Sequence, residues 1–198
     1  MKIRGVDFQE LELKDAYFIR PFHARDKRGG LIKDYNIDTF SEAGINYELK
    51  ETFYTYSKRG VIRAIHFQLD KPQPKLMRCI SGRVYHVIVD LRPHSQTYGR
   101  WMSFELAGDD PACLLVPSGF GQGYLVLEDA VMSYKAGEVF YGPGDSGIIY
   151  NDPDIGIDWP FDLIGGEENL IISDKDLVLM SFAEYSGKMK EADGNETE

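Results

Sequence analysis

The feature that most restricts this chain is the shortness of its apolar runs. Residues 60–67, 76–80, 83–90, 101–106, 113–116 and 123–127 are apolar or alternating segments of strand length. Turn chemistry separates them: Ser81-Gly82, Arg92-Pro93-His94-Ser95, Gly108-Asp109-Asp110-Pro111 and Pro117-Ser118-Gly119. Many short strands with Gly/Pro turns between them indicate a β-sandwich or barrel. Residues 84–89 are β-rich on both parities, which predicts a central strand buried on both faces. Phe, Tyr and Trp make up 13 % of the chain and apolar residues 43 %, enough to fill a core. Helical signal is thin. It is confined to residues 37–44, ending at Gly44, and to a start at Ser173 with Asp176 three positions on. One domain over residues 1–185 is expected, followed by an acidic, disordered tail over 186–198.

Charge narrows the class of partner. The net charge is −10. Glu191, Asp193, Glu196 and Glu198 account for part of it, leaving roughly −6 on the body, which has no long-range attraction for a nucleic-acid backbone. A small anionic ligand would have to be held by local cations. No run approaches a bilayer span, and residues 1–9 carry early charges without an apolar stretch, so a cytoplasmic protein with reduced thiols at Cys79 and Cys113 is expected. His23, His66, His86 and His94 form no HxH pair and the cysteines are far apart, so no metal is expected. The glycine-rich Gly119-Phe120-Gly121-Gln122-Gly123 is explained by a turn.

Four residues stand out as chemistry, each with a plainer reading beside it. On a strand, Ala64, His66 and Gln68 share one face and Arg63 and Ile65 the other, so Arg63 joins His66 only through a twist or bulge. His66 is either a base in a polar interior or a hydrogen-bonded core histidine. Lys75, after a Pro-rich turn, reads equally as a surface lysine. Tyr134 and Lys135 point to opposite faces, and a buried Tyr134 is ordinarily core with its hydroxyl bonded. Asp176 reads as a helix-start carboxylate.

Taken in order, a set of segments resembles the dTDP-4-dehydrorhamnose 3,5-epimerase family over about residues 17–176. They are Asp26-Lys27-Arg28-Gly29, Arg63-Ala64-Ile65-His66-Phe67-Gln68, Lys75-Leu76-Met77-Arg78, Val89-Asp90-Leu91-Arg92, Tyr134-Lys135, Tyr141-Gly142-Pro143, Asn151-Asp152-Pro153 and Ser173-Asp174-Lys175-Asp176. The resemblance implies a cupin-type jelly roll, a homodimer, and neither metal nor cofactor. It implies proton abstraction beside the C4 ketone of a nucleotide diphosphate-linked 6-deoxy sugar. His66 would be the general base, Asp176 the group that fixes its ring, Lys75 the stabiliser of the enolate oxygen and Tyr134 the acid on the opposite face. Arg63 and Arg28 would hold the phosphates or nucleotide. Gln68, Gln122, Tyr141, Asp90, Glu51 and Lys33 complete the expected substrate contacts. A partner exchange of N-terminal strands would involve residues 2–13, which could equally cover the chain's own sheet.

The chain departs from the family pattern at three places. Gln122 in Gly119-Phe120-Gly121-Gln122-Gly123-Tyr124 stands where the family has histidine. Arg28-Gly29-Gly30-Leu31-Ile32-Lys33 lacks the family's aromatic residue and carboxylate, and Glu51-Thr52-Phe53-Tyr54-Thr55 replaces Gln-x-Asn-x-Ser. Phe53 and Tyr54 are expected to supply a relocated stacking surface, and Lys33 to neutralise Glu51. These departures leave open a GDP- or CDP-linked sugar in place of a dTDP-linked one. Inversion at one centre rather than two is also open, as is a non-catalytic cupin that binds a sugar nucleotide.

Overall fold

A computed structural model describes residues 1–195. In chain order the elements are β1 (Lys2–Ile3), β2 (Val6–Glu10), β3 (Tyr17–Arg20), β4 (Phe22–Asp26), β5 (Gly29–Lys33), α1 (Ile37–Glu42), β6 (Glu51–Ser57), β7 (Ile62–Gln68), β8 (Lys75–Asp90), β9 (Trp101–Ala107), β10 (Cys113–Val116), β11 (Phe120–Ala136), β12 (Asp145–Ile148), α2 (Asp174–Leu177) and α3 (Phe182–Asn195). Short 3-10 turns lie between β11 and α2.

Two long antiparallel strands, β8 and β11, organise everything else. Residues 76–80 and 83–90, read as two strands about a Ser81-Gly82 turn, are one strand. Gly82 adopts φ +73°, and a Cβ on it would lie 2.0 Å from the Asp129 carbonyl oxygen. The glycine therefore bends the strand without reversing it. The register with β11 shifts in the same place, between Val126 and Met132. Each strand thus crosses from one sheet to the other. The first sheet runs β1-β2-β3-β10, then the first half of β8, the second half of β11, and β6. The second runs β9, the second half of β8, the first half of β11, β7 and β12. Among the described residues the β4–β5 hairpin pairs with no other strand. This is the jelly-roll sandwich of the cupin type, and residues 84–89 are its buried centre, with only Tyr85 partly exposed.

Alternation then decides what faces inward. Between the sheets lie Met77, Cys79, Val84, Ile88, Leu106, Leu114, Tyr124, Met132 and Tyr134. The outer face of the first sheet buries Val6, Phe8, Ile19 and Leu115 under Phe40 of α1. The Asn36 side chain caps that helix on the Thr39 N–H, and the chain leaves it at Gly44, φ +75°. Residues 2–13 therefore cover their own sheet, through the pairing of β2 with β3. The outer face of the second sheet is covered by the C-terminal segment and α3, through Ile155, Trp159, Ile164 and Tyr185. The stretch expected to be a tail from residue 186 is helical as far as Asn195: Ser186 bonds the Tyr98 hydroxyl at 2.7 Å and Met189 packs on the sheet. Residues 196–198 of that stretch lie outside the described residues. No described helix is long and apolar enough to cross a membrane.

One irregularity positions the site. His66 pairs with Gln122 and Arg63 with Tyr124, so Ala64 and Ile65 on β7 together oppose the single residue Gly123 on β11. This bulge brings Arg63 onto the face of His66 and sends Ile65 to the outer core. The bulged backbone crowds its partner: a Cβ on Gly123 would sit 2.6 Å from the Arg63 carbonyl oxygen and 2.7 Å from that of Ala64. Gly123→Ala is expected to force β7 from β11, lowering stability by about 2–3 kcal/mol in chemical denaturation.

Candidate active site

A cavity of about 230 Å³ opens between the two sheets, lined by Phe53, Thr55, Arg63, His66, Lys75 and Tyr134 among others. It accommodates a monosaccharide ring rather than a whole nucleotide sugar. The second sheet contributes Arg63 and His66 from β7 and Gln122 and Tyr124 from β11. The first contributes Phe53 and Thr55 from β6, Lys75 from β8 and Tyr134 from β11. His66 and Tyr134 therefore enter from opposite walls.

His66 is held from behind. The bulge leaves the Ala64 N–H beyond the last β7–β12 pair, Ile148 with Ile65. Asp176 Oδ2 accepts that N–H at 3.1 Å and meets His66 Nε2 at 3.2 Å. The Ser173 hydroxyl accepts the Asp176 N–H at 3.1 Å, so the cap of α2 sets where the carboxylate points. Burial pushes the Asp176 carboxyl up, but hydrogen bonds from His66 and the Ala64 N–H outweigh it and hold it at about 2.

Tyr134 and Lys75 occupy the other wall. The Tyr134 ring stacks on Phe53 with centroids 4.8 Å apart and planes 6° from parallel. Burial, then the adjacent Tyr124 hydroxyl, hold the Tyr134 phenol well above its ordinary range, so it keeps its proton at neutral pH. Tyr124 is itself bonded to Thr55 Oγ1 at 2.8 Å. Burial lowers the Lys75 ammonium below its ordinary value, with the Asp145 and Glu51 carboxylates acting against that. Among the described residues Lys75 makes no hydrogen bond or ion pair, so its protons are available to the cavity. Arg63 rests on Ser57 Oγ, 3.3 Å from Nε and 3.2 Å from Nη2.

Other expected contacts fall differently. Gln68 lines the cavity, yet its amide donates to the Lys71 carbonyl at 2.7 Å and accepts the Tyr141 N–H at 2.9 Å, shaping the rim. Tyr141 does not line the cavity; its ring lies under the Lys71 ammonium, 4.7 Å away. Glu51 accepts the Phe140 N–H at 2.8 Å, and among the described residues it makes no ion pair with Lys33. Asp90 is not at the cavity. It is fully buried and gathers Arg92, Ser95 and Thr97, closing the turn after β8. Arg28 and Lys33 ride on the β4–β5 hairpin outside this chain's cavity, and Arg28 is ion-paired with Asp26 at 2.6 Å. Of the two relocated aromatics only Phe53 faces inward, because alternation along β6 exposes Tyr54.

Thr55, Gln73, Tyr124, Phe140 and Asp145 line the cavity without having been singled out as site residues. Period-two alternation from Phe53 and Gln122 points to Thr55 and Tyr124. Nothing local marks Asp145, the first residue of β12, which Lys175 grips at 2.5 Å. Nor does anything local mark His86, buried behind Gln122.

The low-lying Asp176 carboxyl has a consequence for stability. Its folded value lies below the ordinary 3.8, so its contribution is full above about pH 4 and is lost as the pH falls through 2. A shift of this size corresponds to about 2 kcal/mol. Between pH 5 and pH 2 the native chain should lose about that much more stability than Asp176→Asn, measured by urea denaturation.

Comparison with known proteins agrees with this geometry. A profile of the dTDP-4-dehydrorhamnose 3,5-epimerase family matches residues 10–184. The dTDP-4-dehydrorhamnose 3,5-epimerase of Methanothermobacter thermautotrophicus is 40 % identical over 170 residues, covering 85 % of this chain and 90 % of the relative. The dTDP-4-dehydrorhamnose 3-epimerase of Streptomyces niveus is 33 % identical, covering 89 % of this chain and 85 % of its own. The crystal structure of the 3,5-epimerase from Elizabethkingia anophelis superposes with a TM-score of 0.85 at 34 % identity, covering 91 % of this chain and 98 % of that one. The chain belongs to the dTDP-4-dehydrorhamnose 3,5-epimerase family.

Proposed function

We propose that this protein epimerises a dTDP-linked 4-keto-6-deoxyhexose at carbons next to the ketone. The observation that carries the reading is the placement of His66 and Tyr134 on opposite sheets, with the unpaired Lys75 ammonium between the same walls. Inverting a carbon next to a ketone needs a base on one face, an acid on the other and a charge at the oxygen.

His66 removes the proton, and the C–H electrons move onto the C4 oxygen as an enolate beside Lys75. Tyr134 returns a proton to the other face of the same carbon. His66 then releases its proton to solvent and Tyr134 regains one, so each inverted centre exchanges one hydrogen with water. Asp176 takes no proton; it fixes the His66 ring and stabilises its charged form. Arg63 supplies charge for the diphosphate at the mouth.

The nucleotide end is completed by a second copy of the chain. Among the described residues the β4–β5 hairpin pairs with no other strand; it exposes Phe22 and Leu31 and carries Arg28 and Lys33 outside its own cavity. Lent to a partner, it would supply the cations that this cavity lacks. Mixing inactive His66→Asn and weakened Arg28→Ala chains should therefore restore activity in the mixed dimer, where one site keeps both residues.

The reading is tested by mass spectrometry of dTDP-4-keto-6-deoxyglucose incubated with the protein in deuterated water. Two deuteriums above the control indicate exchange at C3 and C5, and one indicates a 3-epimerase like the Streptomyces niveus relative. Exchange only with GDP- or CDP-linked sugars would overturn the nucleotide assignment, and none with any of them would leave a sugar-nucleotide-binding cupin. His66→Asn is expected to lower exchange by about 10³-fold, and Lys75→Met by about 10²-fold, with binding of dTDP retained in both.

A further inference from the structure

The floor of the cavity holds a buried group that the mechanism above leaves unused. His86 points inward from β8 with no exposed surface. Its ring is stacked on Tyr124, centroids 5.9 Å apart and planes 16° from parallel. Its Nε2 lies 3.0 Å from Gln122 Oε1, and its Nδ1 is buried without a hydrogen-bond partner among the described residues. The Gln122 carbonyl accepts, so Nε2 carries the proton and Nδ1 is a bare lone pair. Reversing both groups would bury an unpaired N–H instead, the rarer defect in folded proteins. Burial in this apolar stack, opposed in part by Gln122 and reinforced by the nearby Lys75 ammonium, lowers the ring to about 4, so it is neutral at working pH.

This pairing decides what Gln122 offers the cavity. An amide has one accepting and one donating end, and His86 consumes the accepting end. The Gln122 Nε2 makes no hydrogen bond among the described residues and belongs to a side chain that lines the cavity. Lys75 Nζ is another cavity-lining donor without a hydrogen-bond partner among the described residues. We infer that His86 is a positioning residue: it pins the Gln122 carbonyl so that the amide N–H joins the Lys75 ammonium as a second donor to the enolate oxygen. The inference deepens the epimerase reading and rests on it. It explains an otherwise costly orphan nitrogen as the consequence of holding the amide in one orientation. It also lets a neutral glutamine work where the family has a histidine, because a developing negative charge is stabilised by any donor already aimed at it.

The test combines kinetics with a measurement that needs no turnover. Gln122→Leu is expected to lower kcat about a hundredfold with little change in KM, as for loss of one donor to an oxyanion. His86→Phe keeps the stack on Tyr124, removes the orphan nitrogen and frees the amide to turn, so it should lower kcat about tenfold with the melting temperature maintained. In the double variant the His86 change should cost nothing more, because it acts through Gln122. A His86→Phe penalty that multiplies in full on the Gln122→Leu background would overturn the inference. In the native protein, ¹⁵N NMR of the histidine rings should show His86 protonated on Nε2 alone and uncharged from pH 8 to pH 5. A ring protonated on Nδ1, or one that charges near pH 6.5, would also overturn it. A native enzyme that exchanges hydrogen on no 4-keto sugar defeats the epimerase reading itself and is distinguishable from these results.

Discussion

The site depends on one extra residue. Because Ala64 and Ile65 share the partner Gly123, the alternation of β7 is reset, and Arg63 and His66 face the same cavity although they lie three positions apart. The same irregularity strands the Ala64 N–H at the end of the β12 pairing. Asp176 satisfies it with the oxygen that also meets His66. One carboxylate thus closes a gap in the backbone ladder and orients the proposed base. A buried backbone donor would be costly if left open, so the carboxylate is held whether or not the ring beside it is charged. Structure and chemistry are tied at this atom.

The second dependency is the bend shared by β8 and β11. A flat strand would place all its inward residues on one wall. Bent at the shifts after Val126, where β8 bends at Gly82, β11 gives Gln122 and Tyr124 to one sheet and Tyr134 to the other. His66 and Tyr134 therefore face the cavity from opposite walls, the arrangement that inversion by the proposed base and acid demands. The stack of Tyr134 on Phe53 and the Tyr124–Thr55 hydrogen bond fix this wall from both sides.

Much of this was legible in the sequence wherever the physics is local. Strand alternation and turn residues disclosed an all-β sandwich, and residues 84–89 disclosed its buried centre. The capping pattern at Ser173 disclosed the short helix that presents Asp176. The conflict between the parities of Arg63 and His66 disclosed that a bulge was needed, without saying where its glycine lay. Ser81-Gly82 misled because a left-handed glycine serves a bend as well as a turn, and only the Asp129 carbonyl on the facing strand distinguishes them. Asp90 misled for a related reason: its motif matches, but its carboxylate is consumed by the following turn. The tail misled because its acidic composition hides Met189, whose spacing of four from Tyr185 places both against the second sheet.

An acidic chain that takes an anionic ligand must hide its own carboxylates from that ligand. Here each carboxylate near the cavity is already engaged. Glu51 accepts the Phe140 N–H, Asp145 is gripped by Lys175, and Asp176 is occupied by Ala64 and His66. Lys75 makes no ion pair among the described residues, and burial outweighs the pull of the Asp145 and Glu51 carboxylates on its charge. A charged imidazole at His86 would compete with it. The apolar stack on Tyr124 keeps that ring neutral, so the positive charge beside it stays at the Lys75 ammonium, where the enolate of the proposed reaction would have the most to gain.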